Sequence, residues 1–229
     1  MGQTEGEIIA LMPAYNEARF IASVVQHVAQ FVPIVVIDDG SNDGTGDIAE
    51  AAGATVVKHT TNQGKGKALN TGFDYAVAGG VSAAITIDAD GQHDPEEIPA
   101  FIQAFREDRG DVIIGQRTFS RMPLKSRFGN RIGTWLLSLA MGRHIPDNQS
   151  GYRLVRREVM QVIRPSSTRF EAEVELLLRA QLAGFRVVWI PIKTIYNEKV
   201  SHYRPIRDSV LFLKMVWRIG QARRRGAFE

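Results

Sequence analysis

The sequence contains no cysteine, which excludes disulfide bonds and thiolate metal sites. No segment approaches the roughly 18 consecutive apolar residues of a membrane-spanning helix, and the N-terminus lacks the basic-then-apolar pattern of a secretion signal. These absences favour a cytoplasmic protein. Its 229 residues suffice to bury the core of one α/β domain.

The sequence also lacks a large excess of charge of either sign, because its formal net charge is only +3. A protein that binds nucleic acid is usually more basic throughout, so we expect no nucleic-acid partner. The basic residues instead crowd two late stretches, which favours phosphate-bearing ligands or an anionic membrane surface. The residues in these stretches are Arg117, Arg121, Lys125, Arg127, Arg131, Arg218, Arg223, Arg224 and Arg225.

Apolar segments of strand length alternate with segments of helical periodicity in the first part of the chain. Strands are predicted at Glu7–Met12, Ile34–Ile37 and Ala54–Lys58, with helices near Glu17–Gln30 and Gly46–Ala52 between them. Successive strand-helix units of this kind form a parallel sheet through right-handed crossovers. No linker or repeat divides the chain, so residues 1–229 are expected to form one domain.

An acidic pair follows a further short apolar run, rich in β-branched residues, that is predicted to be a buried strand. After the run Ala83–Ile87 come Asp88, Asp90 and Gln92, and Asp94 then caps a helix that begins with Pro95. Ligands of open α/β sheets bind beyond the carboxyl ends of the strands, and these oxygens suit Mg²⁺ or Mn²⁺ shared with substrate phosphates. The alternative interpretation is that both aspartates only form the turn.

A loop rich in glycine and lysine, Gly64–Lys67, precedes another predicted helix. It lacks the spacing of a P-loop, but lysines and flexible backbone at a helix start can bind an anion. A solvated turn is the alternative.

The second half of the chain is less regular. A helix is predicted over Phe128–Met141, with an apolar stripe that includes Trp135 and Leu139 and packs inward. Later come a strand at Val187–Ile190 and an edge strand at Ile192–Tyr196, on either side of Pro191. A last helix begins at Pro205.

The spacing of His93, His144 and His202 fits no metal site, so these three histidines are expected to form hydrogen bonds in loops.

Seven short motifs, in order along nearly the whole chain, resemble the inverting family 2 glycosyltransferases. Within that family the sequence is most similar to the polyprenyl-phosphate (dolichyl-phosphate) mannose and glucose synthases. The motifs are Pro-Ala-Tyr-Asn-Glu at 13–17, Asp-Asp-Gly-Ser at 38–41, the Gly-Lys-Gly loop at 64–67, Asp-Ala-Asp-Gly-Gln-His at 88–93, Gly-Gln-Arg at 115–117, Ser-Gly-Tyr-Arg at 150–153 and Ser-His-Tyr-Arg at 201–204.

The resemblance implies a glycosyltransferase A-type (GT-A) α/β fold, with a mainly parallel central sheet and helices on both faces. Residues 1–115 would form the nucleotide-sugar-binding half, and residues 116–229 the acceptor half with a C-terminal helix. Asp88, Asp90 and Gln92 would hold the metal ion. The residues implied for nucleoside binding are Pro13, Tyr15, Glu17, Asp39 and Lys67.

The implied activity is metal-dependent, inverting transfer of a hexose from GDP-mannose or a UDP-sugar to a polyprenyl phosphate. The resemblance assigns catalysis to Asp88, Asp90, Arg117 and Arg131, with both arginines at the acceptor phosphate and 201–204 closing over the site. Such an enzyme would make peripheral contact with an anionic membrane, on its inner face.

Two alternatives remain open. An enzyme of the same family could transfer sugar to a saccharide, protein or small-molecule hydroxyl, with Asp147, Glu171 or Glu173 as base. The chain lacks the Gln-x-x-Arg-Trp signature of the polysaccharide synthases, which disfavours that subgroup. An inactive nucleotide-binding scaffold is the second alternative, although every carboxylate that the resemblance requires is present.

Overall fold

The computed structural model describes residues 7–117, 133–139, 141–142, 144–148, 150–167 and 171–193. Within these residues, no helix is both long and apolar enough to cross a bilayer. The predictions for Arg131, for the basic segment before it and for everything after residue 193 lie outside the described residues.

A seven-stranded sheet forms the centre of the fold. Its strands are β1 (Ile8–Ala14), β2 (Ile34–Asp38), β3 (Thr55–Lys58), β4 (Ala83–Thr86), β5 (Val112–Arg117), β6 (Arg153–Arg156) and β7 (Val187–Ile192). They lie in the order β3-β2-β1-β4-β6-β5-β7. β1 pairs in parallel with β2 and β4, β2 with β3, and β5 with β7, whereas β6 is antiparallel to both neighbours. The predicted, mainly parallel sheet is confirmed.

Helices cover both faces of this sheet. They are α1 (Ile21–Val28), α2 (Thr45–Ala51), α3 (Lys65–Ala78), α4 (Ile98–Arg106), α5 (Arg157–Val162) and α6 (Glu171–Leu182). A 3₁₀ turn, Pro95–Glu97, leads into α4, and the Asp94 side chain accepts a hydrogen bond from the Glu96 backbone N–H as the predicted cap. Residues 133–139 are also helical.

Side chains of β1 alternate between two hydrophobic cores, as the two-residue period of a strand requires. Ile9 and Leu11 pack with buried residues of α3, α5 and α6. Ala10 and Met12 pack on the opposite face with α1, α2 and α4. Since a strand buried on both faces reads as a continuous apolar run, this packing explains why the pattern was recognisable in the sequence.

The antiparallel strand β6 places its own start beside the end of β4. Thr86, the last residue of β4, pairs with Arg153, the first of β6. Residues 150–152 therefore lie at the edge of the sheet where the chain leaves β1, β2, β4 and β5. This carboxyl edge of the sheet, formed by the ends of the parallel strands, therefore lies beside polar loops from both halves of the chain.

One strand replaces the two that were predicted around Pro191. β7 runs through Pro191 to Ile192 and, among the strands that the structure describes, pairs only with β5. Because β7 lies at the edge of the sheet, the missing N–H of proline is tolerated there. The prediction of a separate edge strand beginning at Ile192 was wrong at its start, and residues 194–196 lie outside the described part.

The predicted inward packing of Trp135 and Leu139 is also wrong. Their exposed fractions are 63% and 69%, whereas Leu137 and Met141 are buried. Each pair is four residues apart, so each pair lies on one face of a helix. Apolar residues occupy both faces, and the sequence pattern therefore did not define which face is covered.

Candidate active site

The loops after β1 and β2 are joined by hydrogen bonds at the carboxyl edge of the sheet. The Asn16 backbone N–H donates to Ser41 Oγ (3.0 Å), and the Glu17 N–H donates to Thr45 Oγ1 (2.8 Å). Asn16 has a φ of 55°, in the left-handed region that asparagine tolerates. These bonds hold residues 16–18 in a loop, so α1 begins later than the predicted Glu17. Tyr15, in the same loop, is 46% exposed.

Asp39 anchors the loop that leads into α3. Its carboxylate accepts hydrogen bonds from the backbone N–H groups of Gln63 (3.0 Å) and Gly64 (2.7 Å). His59 Nδ1 is hydrogen-bonded to Asp39 Oδ1 at 2.7 Å, and His59 Nε2 to Thr71 Oγ1 at 3.0 Å. The predicted nucleoside ligand Asp39 therefore also fixes the entry to the glycine and lysine loop.

The acidic pair follows β4 as predicted, and a lysine lies against it. The Lys65 ammonium is 2.5 Å from Asp88 Oδ1 and also contacts Glu173 Oε1. Asp90 Oδ1 accepts a hydrogen bond from the Gln92 backbone N–H (3.0 Å). Burial lowers the pKa of Lys65, but the carboxylates of Asp88 and Glu173 outweigh it and the net shift of this pKa is upward. Lys65 therefore stays charged at neutral pH.

His93 is hydrogen-bonded to the backbone of Asp88. The Asp88 backbone N–H donates to His93 Nδ1 (3.2 Å), and the imidazole stacks on Tyr152 with ring centroids 4.9 Å apart. Burial lowers the pKa of His93, although Asp88 and Asp90 oppose the shift. The prediction that His93 forms hydrogen bonds in a loop is confirmed.

Arg117, at the end of β5, is clamped by a buried carboxylate. Its Nε and one terminal nitrogen donate to the two carboxylate oxygens of Asp147, at 2.8 and 2.9 Å. The side chain of Asp147 is 1% exposed, and its backbone carbonyl accepts from Trp189 Nε1 (2.8 Å). The Asp147 carboxylate therefore fixes the plane of the Arg117 guanidinium.

The motif Ser-Gly-Tyr-Arg serves packing at this edge. Arg153 is buried and donates to the backbone carbonyls of Ser150 (2.7 Å) and Glu173, which ties the loop before β6 to the start of α6. A Cβ at Gly151 would lie 2.8 Å from Asp88 Oδ2 and 2.9 Å from Glu173 Oε1. A side chain at position 151 would therefore displace these two carboxylates.

Gly66 provides a second close approach, between α3 and the segment before α6. A Cβ at this position would overlap the backbone carbonyl oxygen of Ser167. Glu175 holds that segment, because its carboxylate accepts from the backbone N–H groups of Ser166 (3.0 Å) and Ser167 (2.8 Å). Gly66 thus sets the distance between the Lys65 loop and α6.

We expect Gly66→Ala to lower the free energy of unfolding by about 3 kcal/mol, the upper end for overpacking, because the overlapping atom belongs to the backbone. Gly79→Ala is the matched control at the other end of α3. Gly79 has a φ of −73°, and its nearest neighbour would lie 3.3 Å from a new Cβ. Urea denaturation compares the two variants, and equal stabilities would contradict the packing role of Gly66.

The residues at this edge fit a divalent cation only in part. Within the part of the chain that the structure describes, no group of three or more His, Asp and Glu side chains could hold a metal. A cationic ammonium nevertheless lies against Asp88, so the surroundings of this carboxylate accommodate positive charge. A metal ion bound by Asp88, Asp90 and Gln92 would have to complete its coordination with oxygens from the substrate or water.

The structure brings most of the predicted residues to one edge and adds others. Asp39, Asp88 and Asp90 follow strands at that edge, while Arg117 is the last residue of β5 and Pro13 the last but one of β1. Lys67 is exposed, while Lys65 reaches the acidic pair. Sequence reasoning missed Lys65 as the lysine at the site and Asp147 as the partner of Arg117. Both pairings are long-range, and the sequence contains no signal for them.

Comparisons with known proteins agree on one family. The model of Glycosyl transferase family 2 matches residues 9–164. A UDP-N-acetylglucosamine–dolichyl-phosphate N-acetylglucosaminyltransferase of Methanococcus voltae is 31% identical over 83% of this chain and 86% of its own length. A polyprenol monophosphomannose synthase of Mycolicibacterium smegmatis is 33% identical over 80% of this chain and 76% of its own length.

A solved structure has the same fold. Glucosyl-3-phosphoglycerate synthase from Mycobacterium tuberculosis, in complex with Mn²⁺, UDP and glucosyl-3-phosphoglycerate, superposes with a TM-score of 0.71. It is 19% identical in sequence, and the match covers 93% of this chain and 78% of that one.

Proposed function

The chain belongs to glycosyl transferase family 2, and we propose that it transfers a hexose from a nucleotide-sugar to a polyprenyl phosphate with inversion. Its glycosyltransferase A-type fold agrees with the superposition on a member of that fold. The observation that carries the proposal is the clamped Arg117 guanidinium, at the same sheet edge as Asp88. A fixed cation suits a phosphate acceptor, because guanidinium N–H groups form strong, charge-assisted hydrogen bonds to phosphate oxygens.

The donor nucleoside is proposed to lie against the loops after β1 and β2. The exposed ring of Tyr15 offers an apolar surface there, and the loop is rigid because it is bonded to the next one. Asp39 would accept from the nucleoside while it keeps the Gly64 loop in place. The residues proposed for this half are Pro13, Tyr15, Glu17, Asp39 and Lys67.

The donor diphosphate is proposed to meet a divalent cation, Mg²⁺ or Mn²⁺, at Asp88, Asp90 and Gln92. When bound, the cation supplies Lewis-acid stabilisation of the charge that develops on the leaving nucleoside diphosphate. His93 holds Asp88 in place, because His93 Nδ1 accepts a hydrogen bond from the Asp88 backbone N–H. Asp90 is oriented by the hydrogen bond from the Gln92 backbone.

The acceptor phosphate would need no protein base, because a phosphate monoester has a second pKa of about 6 and is largely deprotonated at neutral pH. Two of the three carboxylates that could serve as base are engaged elsewhere, whereas Glu171 Oε1 is buried with no hydrogen-bond partner among the described residues. Asp147 contacts Arg117 with both of its oxygens, and Glu173 contacts the Lys65 ammonium. These contacts favour a phosphate acceptor over a hydroxyl. Arg131 is proposed as a second acceptor ligand from its position in the sequence alone.

The two halves of the chain are proposed to bind different substrates. Residues 1–115 would bind the nucleotide-sugar, and residues 116–229 the acceptor. Peripheral contact with an anionic membrane would bring the lipid phosphate to the second half. The exposed Trp135 and Leu139, four residues apart on one helical face, support this contact, since tryptophan is enriched at membrane interfaces.

A transfer assay tests the proposal with two matched acceptors, undecaprenyl phosphate and undecaprenol, in vesicles of anionic or neutral lipid. Labelled GDP-mannose, UDP-glucose and UDP-N-acetylglucosamine are supplied in turn with Mn²⁺. We expect one donor to label the lipid phosphate and none to label the alcohol, with faster transfer in anionic vesicles. Equal labelling of the alcohol would favour the hydroxyl acceptor, and equal rates in both vesicle types would contradict the membrane contact.

A further inference from the structure

Lys65 occupies an unusual position at the acidic pair. It is the first residue of α3, and its ammonium lies between Asp88, which follows β4, and Glu173, in the first turn of α6. The side chain of Glu173 is 7% exposed, that of Lys65 23% and that of Asp88 27%. One ammonium thus contacts two carboxylates in a partly buried place.

The ammonium occupies Oδ1, one of the two Asp88 oxygens that a metal ion could use. It is 2.5 Å from Asp88 Oδ1, and a hard cation binds a carboxylate oxygen at a similar or shorter distance. The two cations cannot use the same side of that oxygen at once. Each therefore competes with the other for Asp88 Oδ1.

Within the described part of the chain, the protein side chains near Asp88 are too few for a metal ion to displace the ammonium without further ligands. In the described ranges no third acidic or histidine side chain joins Asp88 and Asp90 to form a metal site. The diphosphate of a donor would add oxygens that bind the metal. It would also give the ammonium a second anion, while Glu173 continues to compensate its charge.

We propose that Lys65 holds the place of the divalent cation at Asp88 until the nucleotide arrives, so that metal and nucleotide bind together. This inference rests on the proposed function, because it takes Asp88 as a metal ligand. Lys65 is then a positioning residue that acts through Asp88. Its role is to keep the affinity for metal low when no donor is bound.

The test measures Mn²⁺ binding by electron paramagnetic resonance, without nucleotide and with saturating GDP or UDP, corrected for Mn²⁺ bound by the free nucleotide. The decisive variant is the double substitution Lys65→Met and Glu173→Gln. It removes one positive and one negative charge, so the net charge around Asp88 stays the same. A change in Mn²⁺ affinity then reports the competition rather than the general electrostatic field.

We expect the double variant to bind Mn²⁺ about tenfold more tightly without nucleotide. The factor by which nucleotide raises Mn²⁺ affinity should fall by about the same amount, within the 5- to 150-fold range typical of coupled sites. Lys58→Met is the charge control. Lys58 also pairs with a carboxylate at 2.5 Å, that of Asp47, but this pair is exposed and links the end of β3 to α2. This control should leave both Mn²⁺ affinities unchanged.

The results distinguish a failure of the role of Lys65 from a failure of the metal site. An unchanged Mn²⁺ affinity and coupling factor in the double variant would overturn the role of Lys65 and leave the proposed function intact. Failure of the unaltered protein to bind Mn²⁺ even with nucleotide would instead overturn the metal site itself. If circular dichroism shows that the double variant does not fold, Lys65→Met alone serves as the second variant. It should raise the nucleotide-free affinity still further, and no rise would contradict the inference.

Discussion

Asp90→Asn is expected to lower the rate of sugar transfer by about 10³-fold while the fold stays intact. The substitution keeps the shape of the side chain and the oxygen that accepts from the Gln92 backbone, but it removes the charge that a hard cation requires. Lewis-acid stabilisation contributes several kcal/mol, and each 1.4 kcal/mol or so corresponds to a factor of ten in rate. Steady-state kinetics over a range of Mn²⁺ concentrations measure the loss.

Asp94→Asn is the matched control, because it makes the same chemical change four residues later. Asp94 caps the turn before α4 through a hydrogen bond from the Glu96 N–H (3.1 Å), and asparagine caps a helix about equally well. Its activity and melting temperature should match those of the unaltered enzyme. Full turnover of Asp90→Asn at ordinary Mn²⁺ concentrations would remove Asp90 from the metal site.

The sheet and the position of the acidic pair were predictable from the sequence because both depend on local patterns. The strands β1, β2 and β4 are buried on both faces and therefore appear as unbroken apolar runs. Asp88 and Asp90 follow β4 directly, so locating the strand also located the carboxylates. The cap at Asp94 is similarly local, since its hydrogen bond spans two residues.

The choice between Lys65 and Lys67 could not be predicted. Two residues that are two apart on a helix point about 200° apart, so only one of these lysines can face the acidic pair. The contact of Gly66 with Ser167, about a hundred residues away in the chain, fixes that rotation. The same limit applies to the partner of Arg117, since Asp147 lies 30 residues further on, and to the antiparallel direction of the four-residue strand β6.

Arg117 and Asp147 carry the distinction between a phosphate and a hydroxyl acceptor. If Arg117 binds the acceptor phosphate and Asp147 only orients the Arg117 side chain, the two residues act as one unit. If Asp147 is instead a general base, it acts on the acceptor independently of Arg117. A double-mutant cycle separates these cases, because residues that act through each other are not additive.

We expect Arg117→Ala to lower kcat/KM for undecaprenyl phosphate by about 10²–10³-fold, as the loss of a buried, hydrogen-bonded charge partner does. Donor affinity, measured by the thermal shift with nucleotide, should change little. Removal of the guanidinium also takes two hydrogen bonds and a positive charge from the buried carboxylate of Asp147, which destabilises a protein. The combined variant Arg117→Ala with Asp147→Asn should therefore melt at a higher temperature than Arg117→Ala alone.

Asp147→Asn alone should cost no more than about tenfold in kcat/KM, because an amide oxygen can still accept from Arg117 while the second hydrogen bond of the clamp is lost. In the Arg117→Ala background the same substitution should cost nothing further, since the side chain that it orients is gone. Loss of a general base would lower the rate by about 10²–10⁴-fold in either background. A loss of that size from Asp147→Asn, undiminished when Arg117 is already alanine, would assign the base to Asp147 and the acceptor to a hydroxyl. If Asp147→Asn instead has no further effect once Arg117 is alanine, the nucleophile is the lipid phosphate itself, which is already deprotonated at neutral pH.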